Sequence, residues 1–246
     1  MTGMVFLVGA GPGDPGLITV KGLEILRSAD TVVYDALVDR RLLTECGNAE
    51  MIDAGKRGGN HTMTQSEINS TLVELAKRGK RVVRLKGGDP FLFGRGAEEA
   101  AELRKEGIEV RVVPGVSSSI AVPELAGIPL THRDDVSMVT MVTGHERSDR
   151  GANRTDWKKL ASLGGTVVIL MGIGNSKSIS EELMKGGSPG DTPAAVITKG
   201  STEEQRTTVT TLASLHSDIT SNGIGAPGII VIGEVVRQRD VLGDMF

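Results

Sequence analysis

Several short stretches hold the residues whose types and spacing could do chemistry. The first is Gly9-Ala10-Gly11-Pro12-Gly13-Asp14-Pro15-Gly16, set after the apolar run Val5 to Val8. A glycine-rich turn between a strand and a helix is where dinucleotide folds seat a pyrophosphate. Asp35, at the end of the next strand-like run, would then bind a ribose hydroxyl. The match to G-x-G-x-x-G fails at its third glycine, which falls on Asp14. A carboxylate there repels a pyrophosphate, and Pro12 and Pro15 remove N–H donors. A plain strand-to-helix turn explains the stretch about as well.

The second stretch, Gly87-Gly88-Asp89-Pro90-Phe91-Leu92-Phe93, follows the strand-like Arg81 to Leu85. Glycine loses more backbone entropy on folding than any other residue, so a ligand lying against Gly87 and Gly88 is the favoured reading. Asp89 then offers a carboxylate to a cation or to hydroxyls. The plain alternative is a long loop with helix-capping glycines. In Gly55-Lys56-Arg57-Gly58-Gly59-Asn60-His61, the cations suit carboxylates or phosphates, or else the loop is simply solvated. In Pro114 to Ser119, Ser117 or Ser118 reads as a helix cap. A nucleophilic serine is the weaker reading, because no G-x-S-x-G elbow ties a base to it. Thr131-His132-Arg133 offers further cations, with salt-bridging between domains as the bland reading.

Composition narrows the classes. Aromatics are 2% of 246 residues, which argues against the stacking platforms of single-strand nucleic-acid binders. A net charge of −3 without a basic tract argues against duplex binding. Cys46 is the only cysteine, and His61, His132, His145 and His216 show no metal-binding spacing, so no metal is expected. The apolar runs are too short to span a bilayer, and no cationic leader with a cleavage site opens the chain. A cytoplasmic protein is expected, with no membrane partner.

The elements that must position these residues alternate. Strand patterns cover Val5 to Val8, Thr31 to Tyr34, Arg81 to Leu85 and Glu109 to Val113. Helix patterns run through Leu23 and Leu26, from Thr64 onward with capping-box spacing to Glu67, and over Ala97 to Glu106. This predicts a mostly parallel sheet covered by helices. The texture changes near 114–135. A second α/β set follows, with strands at Ser137 to Val142, Thr166 to Met171, Ala194 to Ile197 and Ile229 to Ile232, and helices at Asp156 to Leu163 and Ser176 to Lys185. Thr207 to Thr211 predicts an antiparallel hairpin and a mixed sheet. The expected organisation is an N-terminal α/β domain over 1–115, a junction over 116–135 and a C-terminal α/β domain over 136–246.

VGAGPGDPGLITVKGLEILRSADTVVYDALV from Val8, GKRGG from Gly55, RVVRLKGGDPFLFGRGAEE from Arg81, VVPGVSSS from Val112 and GIPLTHRD from Gly127 together resemble the tetrapyrrole methylase family. The similarity runs from about Val5 to Leu242, and GGDPFLFGRG is its most specific part. It implies two α/β domains with the cofactor in the interdomain cleft, usually in a homodimer. It implies S-adenosylmethionine as methyl donor and uroporphyrinogen III as acceptor, methylated at C2 and C7 to give precorrin-2 via precorrin-1. A stand-alone methylase is expected, without the dehydrogenase–ferrochelatase part of bifunctional sirohaem synthases.

By resemblance, Pro12, Gly87, Gly88, Asp89 and Leu92 border the cofactor. So do Ser117 and Ser118, where the family often has Thr-Ala, and Met171 and Gly200, which flank the adenosine. Asp35 matches the proton acceptor and Lys56 the proton donor. Arg57, Arg95, His132 and Arg133 are candidates for the substrate carboxylates, from charge and placement. A methylase of a later precorrin, a nucleotide-dependent oxidoreductase built on the Gly9 loop, and a non-catalytic tetrapyrrole carrier are the competing readings.

Overall fold

The computed structural model describes residues 2–55, 63–134, 136–145 and 155–246. Lys56 and Arg57 lie outside the described residues. The chain divides into two compact units, Met1–Ser117 and Ser118–Phe246.

The first unit runs β1 (Met4–Gly9), α1 (Val20–Arg27), β2 (Thr31–Tyr34), α2 (Arg40–Leu43), β3 (Glu50–Asp53), α3 (Gln65–Lys77), β4 (Arg81–Lys86), α4 (Gly96–Lys105) and β5 (Glu109–Val113). Its sheet has the order β3-β2-β4-β1-β5, and every pairing is parallel. Helices cover both faces, which is why β1 and β4 are buried almost end to end. Val5, Leu7, Val33 and Val82 pack with α3 and α4 through Ile68, Leu72 and Leu103. Phe6, Val8, Val83 and Leu85 pack on the other face with Ile25, Leu26 and Leu42 of α1 and α2.

The expected capping box opens α3. Thr64 Oγ1 accepts from Glu67 N at 3.3 Å, and Glu67 Oε2 accepts from Thr64 N at 2.6 Å. Helices α1 and α4 follow the adjacent strands β1 and β4 but lie on opposite faces. The loops leaving those strands therefore diverge at the C-terminal edge of the sheet, the usual ligand-binding position in open α/β sheets.

The second unit runs α5 (Ser118–Leu125), β6 (Val139–Thr143), α6 (Trp157–Leu163), β7 (Thr166–Leu170), α7 (Ser176–Lys185), β8 (Pro193–Thr198), β9 (Arg206–Thr211), α8 (Leu215–Ser221), β10 (Gly228–Ile232) and α9 (Arg239–Leu242). The sheet order is β6-β7-β10-β8-β9. Only β6 and β7 pair in parallel; the other pairings are antiparallel, including the expected hairpin of β8 with β9. Trp157, Leu160, Ile179, Leu183 and Leu215 cover one face. The other face is covered by Val122, Ala126, Ile128, Val235 and Val236. Helix α5, inside the stretch expected as a junction, thus contributes to the second core.

Candidate active site

At the C-terminal edge of the first sheet the loops after β1, β4 and β5 meet backbone to backbone. Ala10 N donates to Lys86 O at 2.7 Å, Gly88 N donates to Gly11 O at 2.7 Å, and Gly11 N donates to Gly88 O at 3.3 Å. A Cβ on Gly9 would lie 2.5 Å from Gly115 Cα and 2.7 Å from Gly88 O. One on Gly115 would lie 2.3 Å from Gly88 O. Gly88 itself has φ +66°, a conformation glycine adopts without strain. These glycines are therefore required by contact among the loops themselves. Gly87 differs: a Cβ there would meet only Leu37, at 3.3 Å. Its side of the backbone is the open one.

Asp89 organises this edge. Its Oδ1 accepts from Phe91 N at 2.8 Å and Leu92 N at 3.0 Å, and its Oδ2 accepts from Gly115 N at 3.1 Å. The carboxylate expected to face a ligand ties the β4 loop to the β5 loop, with acceptor capacity left over. Asp14 does a similar local job, accepting from Gly16 N at 2.8 Å. The amides of Ala10 and Gly11 are engaged with the β4 loop, and residue 12 is proline. With those amides committed and none at position 12, residues 10–12 do not build the cradle that G-x-G-x-x-G provides, which counts against the dinucleotide reading.

Backbone strain marks this edge and, in the second unit, the loops after β7 and β8. Among the described residues, the non-glycines with positive φ are Phe93 (54°), Arg95 (60°), Met171 (55°), Lys199 (47°) and Ser201 (64°). Such conformations are uncommon and concentrate at functional sites. Phe93 and Arg95 follow the Gly87–Gly88 loop. Phe91 and Leu37 are about half exposed at this edge, whereas Pro12 and Leu92 are partly buried.

In the second unit, β7 and β8 both run antiparallel to β10 between them, so their C-terminal ends share one edge. Met171 follows β7 and is half exposed; Gly200 follows β8 between Lys199 and Ser201. A Cβ on Gly200 would lie 2.4 Å from Val122 Cγ1, so packing against α5 requires that glycine. Ser117 is buried, and Ser118 is the first residue of α5. His132 exchanges main-chain hydrogen bonds with Val136, both 2.9 Å, and Arg133 is exposed in the intervening turn. Arg95 pairs with Glu98 at 2.7 Å.

Asp35 stands just past β2, and its carboxylate meets a group of buried charges that sequence reasoning missed. Arg84 Nη2 pairs with Asp35 Oδ1. Arg84 Nε and Lys86 Nζ reach Glu99 Oε1 at 3.2 Å and 3.1 Å. Gln65 Nε2 donates to the same oxygen at 3.1 Å, and Lys86 Nζ lies 4.0 Å from Asp35 Oδ2. Arg84, Lys86 and Glu99 are essentially buried, while about a third of the Asp35 side chain is exposed (32%). Burial, then the neighbouring Arg84, pulls the Lys86 ammonium below the usual lysine range; Asp35 and Glu99 oppose this. Burial, then the charge of Asp53, raises the Tyr34 phenol. The available signal was Arg84 and Lys86 interleaved with the apolar Val82, Val83 and Leu85 of a buried strand. Buried cations in such a strand require counter-charges.

A parallel α/β unit with interlocked glycine loops, joined to a mixed α/β unit, defines a two-domain α/β enzyme class without the dinucleotide cradle. The sequence model described as Tetrapyrrole (Corrin/Porphyrin) Methylases matches residues 4–216, and the chain belongs to that family. It is 52% identical over 243 residues to the S-adenosyl-L-methionine-dependent uroporphyrinogen III methyltransferase of Methanosarcina barkeri, covering 98% of this chain and 95% of that one. It is 50% identical over 242 residues to the uroporphyrinogen-III C-methyltransferase of Methanocaldococcus jannaschii, covering 98% and 99%. The uroporphyrin-III C-methyl transferase of Thermus thermophilus, solved with S-adenyl homocysteine, superposes with a TM-score of 0.81 at 38% identity, covering 96% and 99%.

Proposed function

We propose that this chain transfers methyl groups from S-adenosylmethionine to C2 and C7 of uroporphyrinogen III, giving precorrin-2 via precorrin-1. The observation that carries this is the coincidence of backbone strain with the family's cofactor stretches. Every described non-glycine residue of positive φ falls at 93–95, at 171 or at 199–201. Strain of this kind persists only where the surroundings over-determine it. The half-exposed Leu37 beside Gly87, and the half-exposed Phe91 further along the same loop, suit an adenosine or a flat macrocycle better than they suit water.

Pro12, Gly87, Gly88, Leu92, Ser117, Ser118, Met171 and Gly200 would hold the donor, and Asp89 would shape its loop. The donor brings a methyl group already activated on a sulfonium. The protein must therefore align more than activate, and orientation alone can lower a barrier by about 7–11 kcal/mol. Methylation of a ring carbon leaves one proton to remove. The partly exposed Asp35 takes it, a general-base contribution of about 10²–10⁴-fold. Lys56 is the proposed proton donor. Arg57, Arg95, His132 and Arg133 receive substrate carboxylates through charge-assisted hydrogen bonds. The proposal includes a homodimer acting in the cytoplasm; light scattering tests the first part.

The test is turnover of uroporphyrinogen III with labelled donor, read by mass. A product heavier by two methyl groups is expected. Labelling only of a precorrin already methylated would assign a later step. Macrocycle binding without label transfer would leave a carrier.

A further inference from the structure

We propose that Glu99 is a positioning residue for methyl transfer, the counter-charge that lets Arg84 hold Asp35 without a second cation closing on it. The inference rests on Asp35 as the proton acceptor. Arg84 and Lys86 are two residues apart on β4, so both side chains leave the same face of the sheet. There they converge on one oxygen of Glu99 from α4, with Gln65 of α3 as a third donor. The other oxygen, Glu99 Oε2, is buried and finds no hydrogen-bond partner among the described residues.

Stability does not call for this arrangement. Apolar side chains of similar volume often serve a core better than buried ions do. A carboxylate with one saturated oxygen and one bare oxygen suggests that its charge, rather than its full hydrogen-bonding capacity, is what the site uses. The cluster is balanced as it stands: Arg84 and Lys86 against Asp35 and Glu99. A further charged group that acts on the cluster is Arg95, near Glu99; the Tyr34 phenol interacts instead with Asp53 and Arg40.

Asp35 is the exposed member. When it takes a ring proton, Glu99 is the anion left to balance Arg84 and Lys86 until that proton passes to solvent. With Glu99 neutral, Lys86 would have only Asp35 for a counter-charge, and already stands 4.0 Å from it. A carboxylate clamped between two cations holds its charged form more tightly and is a poorer proton acceptor.

The test compares E99Q, K86M/E99Q and D35N in steady-state turnover, with thermal melts and calorimetric S-adenosylhomocysteine binding alongside. E99Q is expected to lose at least about 10-fold in kcat, with the donor KM within about 3-fold, because a base contribution is being withdrawn and not a binding contact. K86M/E99Q removes one charge of each sign and is expected to regain most of that loss. A merely structural Glu99 would lower the melting temperature and leave the kcat of the folded protein unchanged, which overturns the inference. Absence of recovery in K86M/E99Q overturns it as well. If E99Q does not fold, K86M/E99Q is read against the unaltered protein: kcat within about 10-fold supports the inference and a greater loss overturns it. D35N separates the two levels. Full turnover in D35N removes the base assignment itself; an inactive D35N beside an unaltered E99Q removes only the role of Glu99.

Discussion

Gly11 and Gly88 exchange main-chain hydrogen bonds, Gly88 N to Gly11 O at 2.7 Å and Gly11 N to Gly88 O at 3.3 Å. One short antiparallel bridge thus locks together two loops that leave parallel strands in different directions. Gly115 closes on the same point, its position tied by Asp89 Oδ2. The edge proposed to hold the donor is a single piece of backbone drawn from three places in the chain.

Disturbing that piece should affect binding before it affects folding. Gly88→Val puts a β-branched side chain at φ +66°, a strain of about 1–3 kcal/mol. Calorimetry with S-adenosylhomocysteine is expected to show no binding, while circular dichroism stays native. Tight binding in this variant would refute the loop assignment.

Asp89→Ala removes the acceptor for the amides of Phe91, Leu92 and Gly115. Hydrogen bonds to a charged partner are worth about 1.5–3 kcal/mol each. The Kd for S-adenosylhomocysteine should rise at least about 10-fold, through a loosened loop. An unchanged Kd would mean that the loop is held by other contacts.

Gly200→Ala tests packing in the second unit. Its Cβ would stand 2.4 Å from Val122 Cγ1, and overpacking typically costs about 1–3 kcal/mol. Adding Val122→Ala should restore part of the lost melting temperature. If the pair is simply additive, the clash is not the cause.

Cys46 is buried, and burial followed by the nearby Glu45 charge pushes its thiol up to about 11 from an ordinary value of 9.0. The thiolate is the reactive form, so the native protein should not react with a disulfide reagent at pH 8 until it unfolds. The linkage has a definite sign. The unfolded thiol deprotonates first, so the stability present below pH 9 is lost as pH rises through the window up to about 11. Melting temperatures should fall more steeply there in the unaltered protein than in C46A.

Much of this protein could be read without its structure. Alternating apolar runs located β1, β2, β4 and β5, and the Thr64–Glu67 spacing located the start of α3, because periodicity and capping are local. The β-branched run at Thr207 marked the hairpin strand of the second sheet. The short β3 escaped, since Glu50-Met51-Ile52-Asp53 has only one strong strand former and gains its place by pairing with β2. Helix α2, only Arg40 to Leu43, is too short to show a period. The glycines of these loops were visible, but not what each one meets. Gly88 touches Gly11, Gly115 touches Gly88, and Gly200 touches Val122, all contacts between residues distant in sequence. The same holds for the charges: Asp35 was legible by resemblance, whereas its partners Arg84, Lys86 and Glu99 became a group only when β2, β4 and α4 packed together. Composition and period act along the chain. Burial and Coulomb interaction act through space, and only the folded arrangement decides which charges must face one another.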